Sequence, residues 1–139
     1  HFRLERRFVP EPSRILIVDD DDDGRSFVKE LLESDGYVVS EARDGRAALE
    51  LLTSAPEPSL VILDLEMPVM SGAELLVAMK ERERLARLPV LVVSGSGKMV
   101  IPLEEPVVGF LPKPVEGDEL VGKVKACIAS RTRGHSHGA

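Results

Sequence analysis

The chain has 139 residues, 43% of them hydrophobic, which is enough for one domain with a real core and short tails. A formal charge of −6 and a sequence pI of about 5.1 argue against direct contact with nucleic acid, which needs a basic face. The single cysteine, Cys127, excludes an internal disulfide framework and fits a reducing compartment, so a cytoplasmic location is expected. No apolar run reaches membrane-spanning length and no signal-peptide pattern opens the chain, so no membrane partner is expected. The start at His1 rather than Met is the mark expected of a fragment.

Residues 1–13 are charged and end in Pro10-Glu11-Pro12, the composition of a linker or tail. The first strand is predicted at Arg14 to Asp19, where Ile15-Leu16-Ile17-Val18 is continuously apolar, as in strands covered on both faces. Five aspartates follow, Asp19 to Asp23. Phe27, Val28, Leu31 and Leu32 then recur at helical spacing, with Gly36 placed to end that helix. Tyr37-Val38-Val39 predicts a second strand. Asp44-Gly45 opens a helix with Ala47, Ala48, Leu49, Leu51 and Leu52 that Pro56 and Pro58 bound.

The third strand is Leu60-Val61-Ile62-Leu63, which ends in the carboxylate of Asp64. Ser71-Gly72-Ala73-Glu74 fits a capping box, so a helix is predicted there, with Leu75, Leu76 and Met79 on one stripe and a highly charged turn from Lys80 to Arg87 after it. Pro89 to Val93 is the fourth strand, ending at Ser94-Gly95. Val107 to Leu111 is the fifth, ending at Pro112-Lys113-Pro114. A last helix carries Leu120, Val121, Val124 and Ile128, with Cys127 packed near that stripe, and fraying is expected from Arg131 onward. Strands alternating with helices imply a parallel sheet with right-handed crossovers, a doubly wound three-layer α/β domain over residues 14–131, followed by a tail over 132–139.

In such a sheet the carboxyl ends of all strands share one edge. Asp19, Asp20, Asp64, Ser94 and Lys113 all stand at strand exits and can converge there. Carboxylates brought together raise one another's pKa, and a hard divalent cation such as Mg²⁺ resolves the repulsion. An acid cluster, a hydroxyl and an ammonium around one carboxylate suit phosphoryl transfer, with Asp64 as acceptor. Each feature alone has a plainer explanation: an aspartate run at a helix start, a serine in a turn, a solvated surface lysine. Their joint occurrence at successive strand exits is what points to a site.

Taken together, Ile15-Leu16-Ile17-Val18-Asp19-Asp20, Asp64 with Met67-Pro68-x-Met70-x-Gly72, Val93-Ser94-Gly95 and Leu111-Pro112-Lys113-Pro114 resemble the receiver domain of two-component response regulators, from about Arg14 to Arg131. The resemblance implies a flavodoxin-like (βα)5 fold with strand order 2-1-3-4-5. It implies that Asp64 accepts a phosphoryl group from a phosphohistidine on a sensor histidine kinase or phosphotransfer protein. It also implies that Asp19, Asp20, Asp64 and the backbone carbonyl of Glu66 hold Mg²⁺, and that Lys113 pairs with the phosphoryl group before a cis bond to Pro114. Ser94 and Phe110 take the switch positions, and an unnamed downstream protein receives the signal. The activity implied is regulatory, with only self-catalysed phosphorylation and slow dephosphorylation.

The chain departs from the family between Ser94 and Phe110, where it is short and holds Pro102 and Pro106. The fourth helix is therefore expected to be shortened or missing. Phe110 lacks the hydroxyl of a tyrosine, and Gly95 stands where a slightly larger residue is common, which predicts easy water access and a short-lived phosphoryl state. Three functions compete: a phospho-receiver, including the C-terminal receiver of a hybrid kinase; a degenerate receiver that binds partners without phosphate; and an aspartate-nucleophile phosphohydrolase. The last lacks a second aspartate in Asp64-Leu65-Glu66 and a substrate cap. Gly95-Ser96-Gly97-Lys98 fails the phosphate-loop pattern because Val92 and Met99 stand at its other two fixed positions. His135 and His137 on a Gly/Ser tail are not expected to bind metal.

Overall fold

Short apolar runs closed by turn residues form the centre of the molecule. The computed structural model describes residues 13–67, 69–95 and 104–138, the last nine of these by backbone alone. In chain order the elements are β1 (Arg14–Val18), α1 (Asp22–Ser34), β2 (Val38–Ala42), α2 (Gly45–Ser54), β3 (Leu60–Asp64), α3 (Gly72–Lys80), a 3-10 turn (Leu85–Arg87), β4 (Val90–Ser94), β5 (Val107–Pro112) and α4 (Gly117–Gly138). The sheet is wholly parallel in the order β2-β1-β3-β4-β5. That is the order expected from the sequence, with the reversal of winding beside β1 and β3.

β3 and β4 are buried along their whole length because helices cover both faces, which is why they read as unbroken apolar runs. One face packs Leu16, Val18, Val61, Leu63 and Val92 against α2 and α3. The other packs Ile15, Ile17, Ile62, Leu91 and Val93 against α1 and α4. Alternate residues of each strand thus serve opposite cores. Cys127 sits in the second core as expected, and burial raises its thiol pKa, with Lys123 opposing.

The helix starts follow local chemistry. Asp21 caps α1 by accepting from the Gly24 amide, and Asp44 caps α2 by accepting from Ala47. Ser71 and Glu74 form the reciprocal capping box of α3, at 3.1 and 2.9 Å. Gly36, at φ +98°, closes the turn after α1, a backbone conformation that favours glycine.

Two stretches differ from expectation. The charged segment after α3 is more than a turn: Leu85 and Leu88 are fully buried beneath it, and Arg84 donates to the Leu52 carbonyl at 2.8 Å. Two isolated leucines among charges carry no period, so the sequence pattern did not reveal them. The backbone of α4 stays helical to Gly138, past the predicted end at Arg131, since no proline follows Pro114 and each glycine costs only about 1 kcal/mol in a helix. Residues 1–12, Pro68, 96–103 and Ala139 lie outside the described residues, and with them the linker, the rejected phosphate loop, and the expectation for the fourth helix, including Pro102. The described lead into β5 is a turn at Glu105-Pro106. Among the described residues no helix is long and apolar enough to cross a membrane.

Candidate functional site

The parallel register brings the sequence-predicted residues to one edge. Val18 pairs with Leu63, so Asp19 and Asp64 leave the sheet side by side. Asp64 pairs with Val93, which sets Ser94 one residue further along the neighbouring strand. Ser94 pairs in turn with Pro112, and its carbonyl accepts from the Lys113 amide at 2.9 Å, so Lys113 turns in over the same edge.

Asp64 is only 5% exposed. Its Oδ1 accepts from the Glu66 amide at 3.2 Å, and its Oδ2 lies 3.4 Å from Lys113 Nζ. A cavity of about 440 Å³ opens beside it, with Ile62, Val93, Phe27, Val28 and Leu120 among its walls. This lining is apolar on one side of the carboxylate and polar, through Asp19, Asp21 and Lys113, on the other. Burial accordingly pushes the Asp64 pKa from 3.8 up to about 6; the Glu66 amide and Lys113 oppose the rise, and Asp19 adds to it.

Lys113 bridges the two strand exits, 3.2 Å from Asp19 Oδ2 as well as 3.4 Å from Asp64. Burial alone would lower its pKa, but Asp19 and Asp64 outweigh burial and leave it raised, so the ammonium is charged at neutral pH. The Lys113-Pro114 bond is cis, as the sequence led us to expect.

The aspartate run divides its labour. Asp19 faces Lys113 and its Oδ1 accepts from the Asp21 amide at 2.9 Å, while Asp21 caps α1 and Asp22 and Asp23 occupy the first helical turn, where the dipole favours them. One carboxylate oxygen from each of Asp19, Asp20 and Asp64 falls in a group within 4.8 Å. That spread is close to the roughly 4.2 Å between opposite oxygens of a six-coordinate Mg²⁺. The donors are all hard oxygens, so this corner fits Mg²⁺ and not a thiolate- or imidazole-seeking ion. Glu66 contributes its amide to Asp64, and its carboxylate is exposed above the site.

Ser94 is fully buried at the end of β4. Phe110 lies on β5 opposite Val92 and is half-buried against the core shared with α2 and α3. Of the residues singled out from sequence, Asp19, Asp20, Asp64, Ser94 and Lys113 gather at one sheet edge with the Glu66 amide on Asp64, while Phe110 stands back on the sheet face.

Two contributions were not legible: the packing of Gly72, a motif glycine whose role the pattern left open, and a part played by Arg25. Gly72 packs against the acceptor strand itself: a Cβ there would come within 2.4 Å of the Asp64 carbonyl oxygen and 2.7 Å of Leu65 Cα. Only glycine allows α3 to start so close to the acceptor. The second is Arg25, whose guanidinium donates to the Asp19 carbonyl at 2.7 Å. Its spacing of three from Asp22 in the acidic run was the one signal available.

A parallel α/β domain with three carboxylates, a lysine and a buried serine at one strand edge defines a receiver-type signalling module. Residues 15–125 match the response regulator receiver domain, and the chain belongs to that family. It is 40% identical over 131 residues to the sensor histidine kinase TmoS of Ectopseudomonas mendocina, covering 92% of this chain and 13% of that protein. It is 36% identical over 119 residues to the transcriptional regulatory protein CpxR of Escherichia coli K12, covering 84% of this chain and 49% of the relative. The chain thus spans half or less of these two relatives. Among solved structures, the CheY-like receiver domain protein of Methanospirillum hungatei superposes with a TM-score of 0.80 at 27% identity, over 88% of this chain and 98% of that one.

Proposed function

We propose that this domain, over residues 14–131, accepts a phosphoryl group on Asp64 from a phosphohistidine of a sensor histidine kinase or phosphotransfer protein, and passes the change to a protein partner. The observation that carries this reading is the convergence of Asp19, Asp20 and Asp64 with Lys113 bridging Asp19 and Asp64. A degenerate receiver would have no reason to keep that charge arrangement, whose burial is costly.

In the reaction, an Asp64 carboxylate oxygen attacks the phosphorus. The bond from phosphorus to the donor imidazole nitrogen breaks, and its electron pair stays on the imidazole. Lys113 is held charged between Asp19 and Asp64, and its ammonium faces the incoming phosphoryl oxygens. The Ser94 hydroxyl, at the end of the adjacent strand, donates to the phosphoryl group once it is attached, and Phe110 responds by repacking on the sheet face. Asp19, Asp20, Asp64 and the Glu66 carbonyl would hold Mg²⁺, which when bound would neutralise charge on the phosphoryl oxygens. Because Asp64 has a pKa of about 6, it is mostly ionised, and so nucleophilic, at neutral pH.

The domain is a regulatory phospho-acceptor that assists only its own phosphorylation and its own slow hydrolysis, and it works in the cytoplasm. Similarity to part of a sensor histidine kinase supports a place as the receiver of a hybrid kinase. Incubation with acetyl phosphate and Mg²⁺, followed by intact-mass measurement, should add one phosphoryl group to the wild type and none to Asp64→Asn. Equal labelling of both proteins, or of neither under saturating donor, defeats the proposal.

A further inference from the structure

Arg25 lies in the first turn of α1, and its side chain is only 14% exposed. It serves three elements at once. Nη1 donates to the Asp19 carbonyl at 2.7 Å, Nη2 to Asp22 Oδ1 at 2.7 Å, and Nε to Glu41 Oε1 on β2 at 3.1 Å. Lys29 holds the other oxygen of Glu41 at 3.5 Å, so the acceptor of Nε is itself fixed. The Asp19 amide donates to the Ala42 carbonyl at 3.1 Å, which ties the preceding Val18–Asp19 peptide to β2, so Asp19 is held on both sides of its Cα.

A half-buried cation that merely stabilised the helix would need only Asp22 and Glu41. The bond to the Asp19 carbonyl is different, because that carbonyl belongs to the peptide joining Asp19 to Asp20. The orientation of this peptide sets the directions in which the two carboxylates leave β1. Asp19 and Asp20 must both point toward Asp64 for their oxygens to gather within 4.8 Å. A planar guanidinium with five donors can hold three acceptors in one arrangement; an ammonium on the same helix position cannot.

We propose that Arg25 is a positioning residue: by clamping the Asp19–Asp20 peptide between α1 and β2, it aims both carboxylates at Asp64 and so sets the affinity of the acid corner for a divalent cation. This inference rests on the reading of that corner as a Mg²⁺ site. Charge and position predict opposite outcomes here. If Arg25 acted only as a nearby positive charge, its removal would strengthen cation binding. As a clamp, its removal weakens binding, and so does replacement by lysine with the charge retained.

The test uses the full chain as wild type, Arg25→Lys, Arg25→Met and Glu41→Ala, with MgCl2 titrated by calorimetry and by the shift of the Glu66 amide resonance. Urea unfolding in EDTA measures the metal-free stability of each separately. Arg25→Lys and Arg25→Met should both bind Mg²⁺ about tenfold more weakly, the usual effect of losing a group that orients metal ligands. Glu41→Ala leaves the guanidinium and its charge but frees Nε, and should weaken binding less than the Arg25 variants do, by under about tenfold. It also keeps the inference testable if Arg25→Met does not fold. A purely structural role would lower stability in EDTA and leave the Mg²⁺ Kd of the folded protein within twofold of wild type; that result, or tighter binding by Arg25→Met, overturns the proposal. Absence of saturable Mg²⁺ binding by the wild type would overturn the metal reading and this inference together, whereas tight wild-type binding with unchanged variants overturns this inference alone.

Discussion

Removing the negative charge of Asp64 should make the metal-free protein more stable, although it destroys the proposed acceptor. In the folded state burial lifts the Asp64 pKa from 3.8 to about 6, so the folded protein holds this proton more tightly than the unfolded chain does. A raised pKa contributes stability in full below the unfolded value and loses it as pH rises through the folded one. Below about pH 4 the carboxyl is neutral in both states and carries no charge penalty. Above about pH 6 the folded protein contains a buried, ionised carboxylate, and the pKa difference sets a ceiling of about 3 kcal/mol on the cost. The asparagine amide must itself be desolvated without all its hydrogen bonds, which returns about 1 kcal/mol or more. The net gain for Asp64→Asn should therefore be about 1–2 kcal/mol at pH 8. Urea unfolding in EDTA from pH 4 to pH 8 would measure it, compared at constant m-value. The stability gap should be near zero or negative at pH 4, open between pH 4 and pH 6, and level off above. Adding Mg²⁺ at ten times its Kd should return about 1.4 kcal/mol to the wild type and less to the variant. An Asp64→Asn protein no more stable than wild type at pH 8 in EDTA, or a gap indifferent to pH, would refute the view that desolvation dominates at this carboxylate.

Three further substitutions test neighbouring claims. Gly72→Ala forces a methyl into the backbone of Asp64 and Leu65, and should cost about 2–3 kcal/mol in urea unfolding, as overpacking does, while also slowing acetyl phosphate labelling. Gly95→Ala meets nothing closer than 4.0 Å, at Glu66 and Lys113, so it should fold as well as wild type; the added methyl should shield the acyl phosphate and lengthen its lifetime in a phosphate-release assay, and an unchanged lifetime would argue against water access through this gap. Ser71→Ala removes one half of the capping box at the start of α3 and should lower stability by about 1 kcal/mol with little change in the Mg²⁺ Kd, since the cap lies on the helix and not on an acid.

Much of the architecture was legible because it rests on short-range chemistry. Ile15 to Val18, Leu60 to Leu63 and Val90 to Val93 are apolar without alternation because each strand faces two cores, and that alone signals a parallel sheet. Asp21, Asp44 and Ser71 cap helices through bonds to residues three positions on, so their role can be read within one turn of chain. Leu85 and Leu88 escaped notice because their burial comes from a helix end folding back over the core, which leaves no period in the sequence.

What the chain determines by itself is therefore the identity and order of its elements, and the fact that an acid, a serine and a lysine each stand where a strand runs out. Only the tertiary structure decides that Asp64 is buried beside a largely apolar cavity with its pKa pushed up to about 6, that Lys113 spans two carboxylates, that Gly72 touches the acceptor strand, and that Arg25 grips the Asp19 peptide. The division has a physical cause. Backbone hydrogen bonding and side-chain periodicity act over a few residues, whereas desolvation and charge proximity depend on groups as far apart as Asp19 and Lys113 in sequence and 3.2 Å apart in space.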